Sequence, residues 1–217
     1  MAAKPKKTRK TADASSAAGV SLPAHQERSR GTRDRLLASA EEAFATRGYE
    51  GARIADIAKA AGCSTGAVYF RFKDKEALFA GIVERFAEDA RGRAAQILTG
   101  AAPDDWKTIV RLLVRGTWDL FSAHRGMFRA VMERGSISPR VFMPVVAVRL
   151  QLDAVLAEAV KRSRLGGAKR DLRVRVAMQM ITGFVMNALS SPVSPTRADG
   201  MAAIDELANA IVVYLES

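Results

Sequence analysis

The sequence has 217 residues, of which 48% are hydrophobic and 26% are charged, and its net charge is +11 at pH 7. A chain of this length fits one domain, or a small domain fused to a larger one. No apolar run approaches the roughly 18 residues of a membrane span, and no apolar stretch follows the basic N-terminus as in a secretory signal. We therefore expect a globular cytoplasmic protein.

Cysteine and histidine are scarce, since Cys63 is the only cysteine and His25 and His124 are the only histidines. A single cysteine excludes an intrachain disulfide, and so few soft ligands argue against zinc. With no glycine-rich phosphate loop, nucleophile elbow or Cys–His pair, we predict no enzymatic activity, no metal and no cofactor. The alternative is a small all-helical enzyme that happens to be basic. The positive charge favours a polyanionic partner, nucleic acid ahead of acidic lipid.

Residues 1–30 carry seven basic and two acidic residues and almost no large apolar side chain. Such a segment cannot bury enough surface to offset its chain entropy, so we predict a disordered N-terminal tail. This tail either keeps the protein soluble or adds phosphate contacts to DNA binding, and both functions stay open. The remaining positive charge is expected to be spread through the rest of the chain.

Residues 31–79 have the pattern of a small helical DNA-binding domain. The first predicted helix begins at Thr32, where apolar residues start to recur with a helical period, and Gly48 ends it. Three further helices follow, the second from Ile54 to a stop at Gly62, the third capped by Ser64 and ending near Phe70, and the fourth capped by Asp74. The tight turn at Gly62 predicts a helix-turn-helix, in which the third helix enters the major groove.

Several side chains near this turn suit DNA contacts. Thr65 and Arg71 can hydrogen-bond bases or phosphates, and Tyr69 can donate to a phosphate, whereas Phe72 is expected in the core. Lys75 stands in the first turn of the fourth helix, whose free N–H groups also suit a phosphate. These cations can equally belong to an ordinary solvated face. Cys63 is expected to be an inert, buried side chain, with a redox switch as the alternative.

The block from Thr32 to Phe79 resembles the DNA-binding head of the TetR family of bacterial repressors. The residues that carry this resemblance are Ala43-Phe44, Gly48-Tyr49, Ile57-Ala58, Ala61-Gly62, Ser64-Thr65-Gly66, Val68-Tyr69, Phe72 and Lys75-Glu76-Ala77-Leu78. The resemblance implies a homodimer of all-α subunits on a palindromic operator, with a ligand pocket in the body whose occupant releases the DNA.

The resemblance also implies DNA contacts by position, at Thr65, Gly66, Ala67, Tyr69, Phe70 and Lys75. Three sites depart from the family. Ala52-Arg53 stand where the family usually has Ser or Thr, so a helix cap is expected to be lost and Arg53 is expected to supply a positive charge there. Phe70-Arg71 replace a pair that is commonly His or Tyr, and Cys63 replaces a usual Val. The complete predicted DNA-binding set is Arg53, Ser64, Thr65, Gly66, Ala67, Tyr69, Phe70, Arg71 and Lys75.

Residues 80–217 are predicted to form an all-helical domain for ligand binding and dimerisation. Arg125-Gly126 is expected to break one helix, and the long helix near residue 150 is expected to begin closer to Pro144 than to Pro139. Aromatic, Met and polar side chains suggest a pocket for an apolar effector, although any one of them can be plain core. The predicted pocket residues are Trp118, Phe121, His124, Met127, Phe128, Phe142, Met180, Phe184 and Asn187.

The last two predicted helices are apolar over a wide arc, which suits a four-helix bundle between two subunits. The residues predicted to form this interface are Leu172, Val176, Gly183, Ile204, Leu207, Ile211 and Leu215. Alternatively, these helices close the core of one subunit. The sequence therefore predicts a ligand-responsive regulator, most simply a repressor, and the main alternative is a structural DNA-binding protein that has little sequence preference and no ligand.

Overall fold

The computed structural model describes residues 21–100, 102, 105–134, 139–165, 167–190, 194, 196 and 200–217. These residues contain nine α-helices, a short 3₁₀ turn at Gly167–Lys169 and no strand, which confirms the all-α fold. The helices are α1 (Ser21–Gly51), α2 (Ile54–Ala60), α3 (Thr65–Arg71), α4 (Lys75–Gly100), α5 (Trp106–Ala123), α6 (Arg125–Arg134), α7 (Pro139–Arg162), α8 (Arg170–Ser190) and α9 (Met201–Glu216). No helix in the described ranges is long and apolar enough to cross a membrane.

The first helix starts earlier than its apolar pattern predicts. α1 begins at Ser21, so the disordered tail predicted for residues 1–30 is wrong for residues 21–30, while residues 1–20 lie outside the described part of the chain. The segment has good helix formers in Gln26, Glu27 and Arg28, and Pro23 stands in the first turn, where its missing N–H needs no partner. Local propensity therefore favours a helix over this segment.

The helix-turn-helix forms as predicted, because the local signals agree with one another. Gly62 has a φ of 68°, a conformation that favours glycine, and it makes the turn between α2 and α3. The Ser64 side chain caps α3 by accepting from the backbone N–H of Ala67 at 3.2 Å. Asp74 caps α4 in the same way, accepting from Ala77 N at 2.7 Å.

One continuous apolar core joins the head to the body. Buried side chains of α1 to α3, such as Phe44, Ile57 and Val68, belong to the same cluster as Leu113 of α5 and Ile211 of α9. α4 runs without interruption through residues 79 and 80, where the sequence prediction divides head from body. A displacement of the body helices can therefore reach the head through α4 as well as through surface contacts.

Two helix boundaries in the body differ from prediction. Gly126 lies inside α6, so the break falls at His124 instead, and α7 begins at Pro139 rather than near Pro144. Pro144 is accommodated in the early turns of α7, where its ring costs the helix one hydrogen bond without ending it. From its residue type alone, Gly126 was predicted to break a helix. In the structure, its missing side chain instead allows α6 to pack closely against α1.

Candidate DNA interface and ligand cavity

The outer edge of α3 presents aromatic side chains to solvent. Phe70 is 85% exposed and Tyr69 is 54% exposed, whereas Val68 on the opposite side of the same helix is buried. Phe72 is buried at the end of the helix, so the predicted division between core Phe72 and surface Tyr69 holds. Two exposed rings on a short helix that follows a tight turn suit contacts in a DNA groove, since nothing in the core requires them.

Three predicted DNA contacts are already engaged within the protein. The Ser64 hydroxyl caps α3, and Arg71 Nη1 donates to Ala67 O at 3.0 Å. Lys75 Nζ lies 3.3 Å from Glu50 O and 4.5 Å from the ring centroid of Tyr49. Burial lowers the pKa of Lys75 from its ordinary value, against the attraction of Glu50. Arg71 and Lys75 therefore each have one N–H donor engaged within the protein.

The remaining predicted DNA contacts keep all or part of their surface exposed. Thr65 and Gly66 are exposed, and Ala67 is half-buried. Arg53 is exposed at the N-cap of α2 and makes no side-chain cap, so the predicted loss of a cap at this departure from the family is confirmed.

The head itself is almost neutral, so the excess of positive charge outside residues 1–30 lies mostly in the body. Residues 31–79 hold eight basic and seven acidic residues, whereas residues 1–30 hold seven and two. A second basic segment, residues 158–175, holds seven basic and two acidic residues at the turn between α7 and α8. Long-range attraction to phosphates must therefore come mostly from outside the helix-turn-helix.

α6 holds the end of α1 at a joint between head and body. Arg129 Nη1 donates to the carbonyls of Ala45 at 2.7 Å and Thr46 at 3.2 Å, which are among the last of the regular part of α1. The Glu133 carboxylate accepts from Tyr49 N at 2.6 Å, beside Gly48, whose φ is 73°. α6 thus satisfies backbone groups on both sides of the kink at Gly48.

Buried charges reinforce this joint. The two ring nitrogens of His124 lie 2.9 Å from the Glu41 carboxylate of α1 and 2.9 Å from the Asp89 carboxylate of α4. Arg85 pairs with Glu41 as well. Burial opposes charge on the His124 ring, but the hydrogen bonds and charges of Glu41 and Asp89 outweigh it and raise the pKa of His124 above its ordinary value. When the His124 ring is protonated, both of its N–H groups donate to these carboxylates and tie the head to α4.

Comparison with known proteins connects this geometry to one family. Residues 36–82 match the family model for the TetR family of bacterial regulatory proteins. The repressor AcnR of Corynebacterium efficiens is 27% identical over 165 residues, which cover 65% of this chain and 86% of AcnR. The repressor KstR2 of Mycolicibacterium smegmatis is 39% identical over 69 residues, and the chain covers only 34% of the length of KstR2.

Solved structures extend the similarity beyond the head. The TetR family regulator PfmR of Thermus thermophilus has a TM-score of 0.63 at 22% identity, covering 84% of this chain and 97% of PfmR. A protein whose structure shows how bacterial hormones control antibiotic production has a TM-score of 0.69 at 28% identity, and the match covers 86% of this chain and 98% of that protein's chain. Residues 36–82 belong to the TetR family of bacterial regulatory proteins, and the fold of the described residues is that of solved TetR family structures.

The body of the protein contains an apolar cavity of about 340 Å³. Of the nine predicted pocket residues, Phe121, Phe128 and Phe142 line it. The other six predicted residues, Trp118, His124, Met127, Met180, Phe184 and Asn187, are not among its lining residues. Met127 is fully buried and His124 belongs to the joint, because both lie on the side of the chain that packs toward α1 and α4.

Sequence reasoning named Gln179 as a candidate polar group of the pocket but missed the other polar residues of the cavity. Arg149 of α7 and Gln179 and Thr182 of α8 line it, together with Thr117 of α5. Arg149 Nε donates to Asp153 at 2.8 Å, and Nη1 lies 3.4 Å from Thr182 Oγ1. The available signal was the isolated Arg149 after the apolar run Val145-Val146-Ala147-Val148, which is unusual unless the charge has a partner.

The predicted dimer residues divide into two groups. Ile204, Leu207, Ile211 and Leu215 of α9 are buried within the subunit, where α9 packs on α5 and α8. Their assignment to the dimer interface is therefore wrong, because the apolar face of α9 closes the core of its own subunit. Leu172 and Gly183 of α8 are exposed and Val176 is half-buried, and Val213 is a large apolar residue on α9 that is 65% exposed.

Proposed function

We propose that this TetR family member is a ligand-responsive repressor that binds a palindromic operator as a homodimer and has no catalytic role. The observation that carries the proposal is the pair of exposed rings on α3, Tyr69 and Phe70, on a helix-turn-helix whose opposite side is packed. A helix of seven residues reads few base pairs, so two copies one helical turn apart are needed for useful specificity.

The outer faces of α8 and α9 support dimerisation. Leu172 and Val213 are 52% and 65% exposed, and Gly183 has open space around it that would let a second helix approach closely. Large apolar side chains in this position suit a four-helix contact between two subunits. We expect Val213→Asp to give a monomer in sedimentation at micromolar protein, whereas Leu150→Asp, at an equally exposed site on α7, keeps the dimer. A wild-type monomer would contradict the proposal.

The response to a ligand is proposed to pass through α6. Phe128 and Val131 of this helix line the cavity, while Arg129 and Glu133 hold the end of α1. A ligand that binds one position of α6 more tightly than another shifts the population of head positions accordingly. The two heads would then no longer fit adjacent major grooves.

The DNA-contact proposal is tested with a matched pair of aromatic and aliphatic truncations. We expect Phe70→Ala to weaken binding to a selected operator by about tenfold or more, since a good base contact contributes roughly 1–3 kcal/mol. Leu150→Ala removes a similarly exposed apolar side chain far along the chain and should leave affinity unchanged. Equal affinity of the Phe70→Ala variant and the wild type would contradict a recognition function for this edge of α3.

A further inference from the structure

The cavity has chemically different ends. Phe86, Phe121 and Phe128 form an aromatic wall contributed by α4, α5 and α6, with ring centroids 4.0–5.9 Å apart. Arg149, Gln179 and Thr182 come from α7 and α8 instead, and the hydroxyl of the fourth polar residue, Thr117 of α5, donates to Leu113 O at 2.7 Å within its own helix. A ligand that fills such a site has an apolar body against the rings and one polar group at the other end.

Arg149 is the only ionised side chain among the described residues that line this cavity. Its guanidinium has five N–H donors, of which the structure uses one toward Asp153 and one toward Thr182. Among the described residues, three donors are left without a partner, and Asp153 itself does not line the cavity. The Asp153 contact fixes the guanidinium in one orientation, which reduces the entropy lost when a second carboxylate binds.

Thr182 is oriented as an acceptor toward Arg149. Its hydroxyl donates to Met178 O at 2.9 Å, so its lone pairs face the guanidinium 3.4 Å away. The polar end therefore offers a positive charge with N–H donors and no carboxylate among its described lining residues. An anionic group gains a charge-assisted hydrogen bond here, whereas an ammonium group has no partner of opposite charge in the lining.

We propose that the effector is an amphipathic monocarboxylic acid whose carboxylate pairs with Arg149 and whose apolar body fills the aromatic end. At roughly 30 Å³ for each water-sized group, a cavity of about 340 Å³ holds on the order of a dozen non-hydrogen atoms. This size corresponds to an acid of about ten carbons. The inference rests on the proposed function, because it names the ligand class for the same regulatory cavity.

The test compares four probes with one ten-carbon chain and different head groups: decanoate, 1-decanol, methyl decanoate and decyltrimethylammonium. Binding to the purified full-length protein is measured by calorimetry, below the concentration at which each probe forms micelles. Decanoate is expected to bind at least about tenfold more tightly than the other three, since a hydrogen bond to a charged group is worth more than a neutral one. Equal or tighter binding of the alcohol or ester would overturn the carboxylate assignment.

Variants locate the effect at Arg149. The Arg149→Gln variant should lose the preference for decanoate while still binding decanol. Arg162→Gln is the matched control, because Arg162 pairs through Nε with Glu158 at 2.9 Å on the same helix but does not line the cavity. If both variants lose the preference equally, or neither does, Arg149 does not bind the head group. The wild-type series tests the ligand class even if Arg149→Gln fails to fold.

Operator release is measured separately, so that the two proposals can fail independently. Decanoate that binds through Arg149 without releasing DNA would support the ligand class and contradict the ligand-responsive function. Release of DNA by decanol or the ester, with no preference for decanoate, would overturn the ligand class and leave the regulatory function intact.

Discussion

Replacing Gly126 by alanine tests the joint between α6 and α1. A Cβ at this position would overlap the carbonyl oxygen of Glu41, and it would lie 2.8 Å from Glu41 C and 3.1 Å from Ala45 N. All three atoms belong to the backbone of α1, so no side chain can move aside. Reaching 3.4 Å from Glu41 C alone requires a shift of about 0.6 Å, and the overlap with the oxygen requires more.

A shift of this size affects both stability and hydrogen bonding. The bonds from Arg129 to Ala45 and from His124 to Glu41, now 2.7 and 2.9 Å, would lengthen toward the limit of a hydrogen bond. Overpacking typically costs about 1–3 kcal/mol, so the melting temperature should fall by roughly 2–12 °C for a chain of this size. Operator affinity should fall as well, because the head loses its position on the body.

Gly92→Ala is the matched control for this substitution in α4. Nothing lies within 4 Å of a Cβ at Gly92, so the change should only add helix propensity and stabilise the protein by up to about 1 kcal/mol. Both variants are compared with the wild type by calorimetric melting at one protein concentration. If Gly126→Ala were as stable as Gly92→Ala, α6 and α1 would not pack as closely as the structure shows.

Three further predictions concern charge and redox chemistry. Because the pKa of His124 is raised above its ordinary 6.5, the stability that the ring contributes is fully present below pH 6.5 and is lost as the pH rises through the folded-state pKa. Over this pH range, the melting temperature of the wild type should fall more steeply than that of His124→Gln. Parallel curves for the two proteins would contradict a bridge made by the protonated ring. Deleting residues 1–20 removes five basic residues and one acidic residue. The slope of log affinity against log salt concentration should become shallower by up to about 4.5 per subunit. An unchanged slope would mean that the segment makes no phosphate contacts. Cys63 is half-buried against the core of the head, and we expect mild peroxide to leave DNA binding intact, so a loss that Cys63→Ala prevents would reveal a redox switch.

Local signals were sufficient to predict the helix-turn-helix. The cap residues Ser64 and Asp74 and the turn residue Gly62 act on neighbours within a few positions, so their identity already determines the bonds that they make. Tyr69 and Phe72 stand three positions apart, where a regular helix would place them on the same face. They separate into surface and core because α3 ends before Phe72, whose backbone is extended.

Contacts between distant residues could not be predicted in the same way. The hydrogen bond from Arg129 to Ala45 joins residues that are 84 positions apart in the sequence. Likewise, the sequence does not distinguish a glycine that permits close packing, such as Gly126, from a glycine that ends a helix. The helical period of the apolar residues also shows which face of α9 is apolar, but it does not show whether that face packs within its own subunit or against a second subunit. For this reason Ile204 and Ile211 were assigned to a dimer although they are core.

We propose that two copies of α3 read a palindromic operator. This proposal is tested by selection from a random duplex library, using the purified full-length protein at a fixed salt concentration. We expect enrichment of a palindrome with half-sites about one helical turn apart, and loss of that enrichment in the Phe70→Ala variant. Salt-sensitive binding without any enriched sequence would contradict the proposal and favour a structural DNA-binding protein.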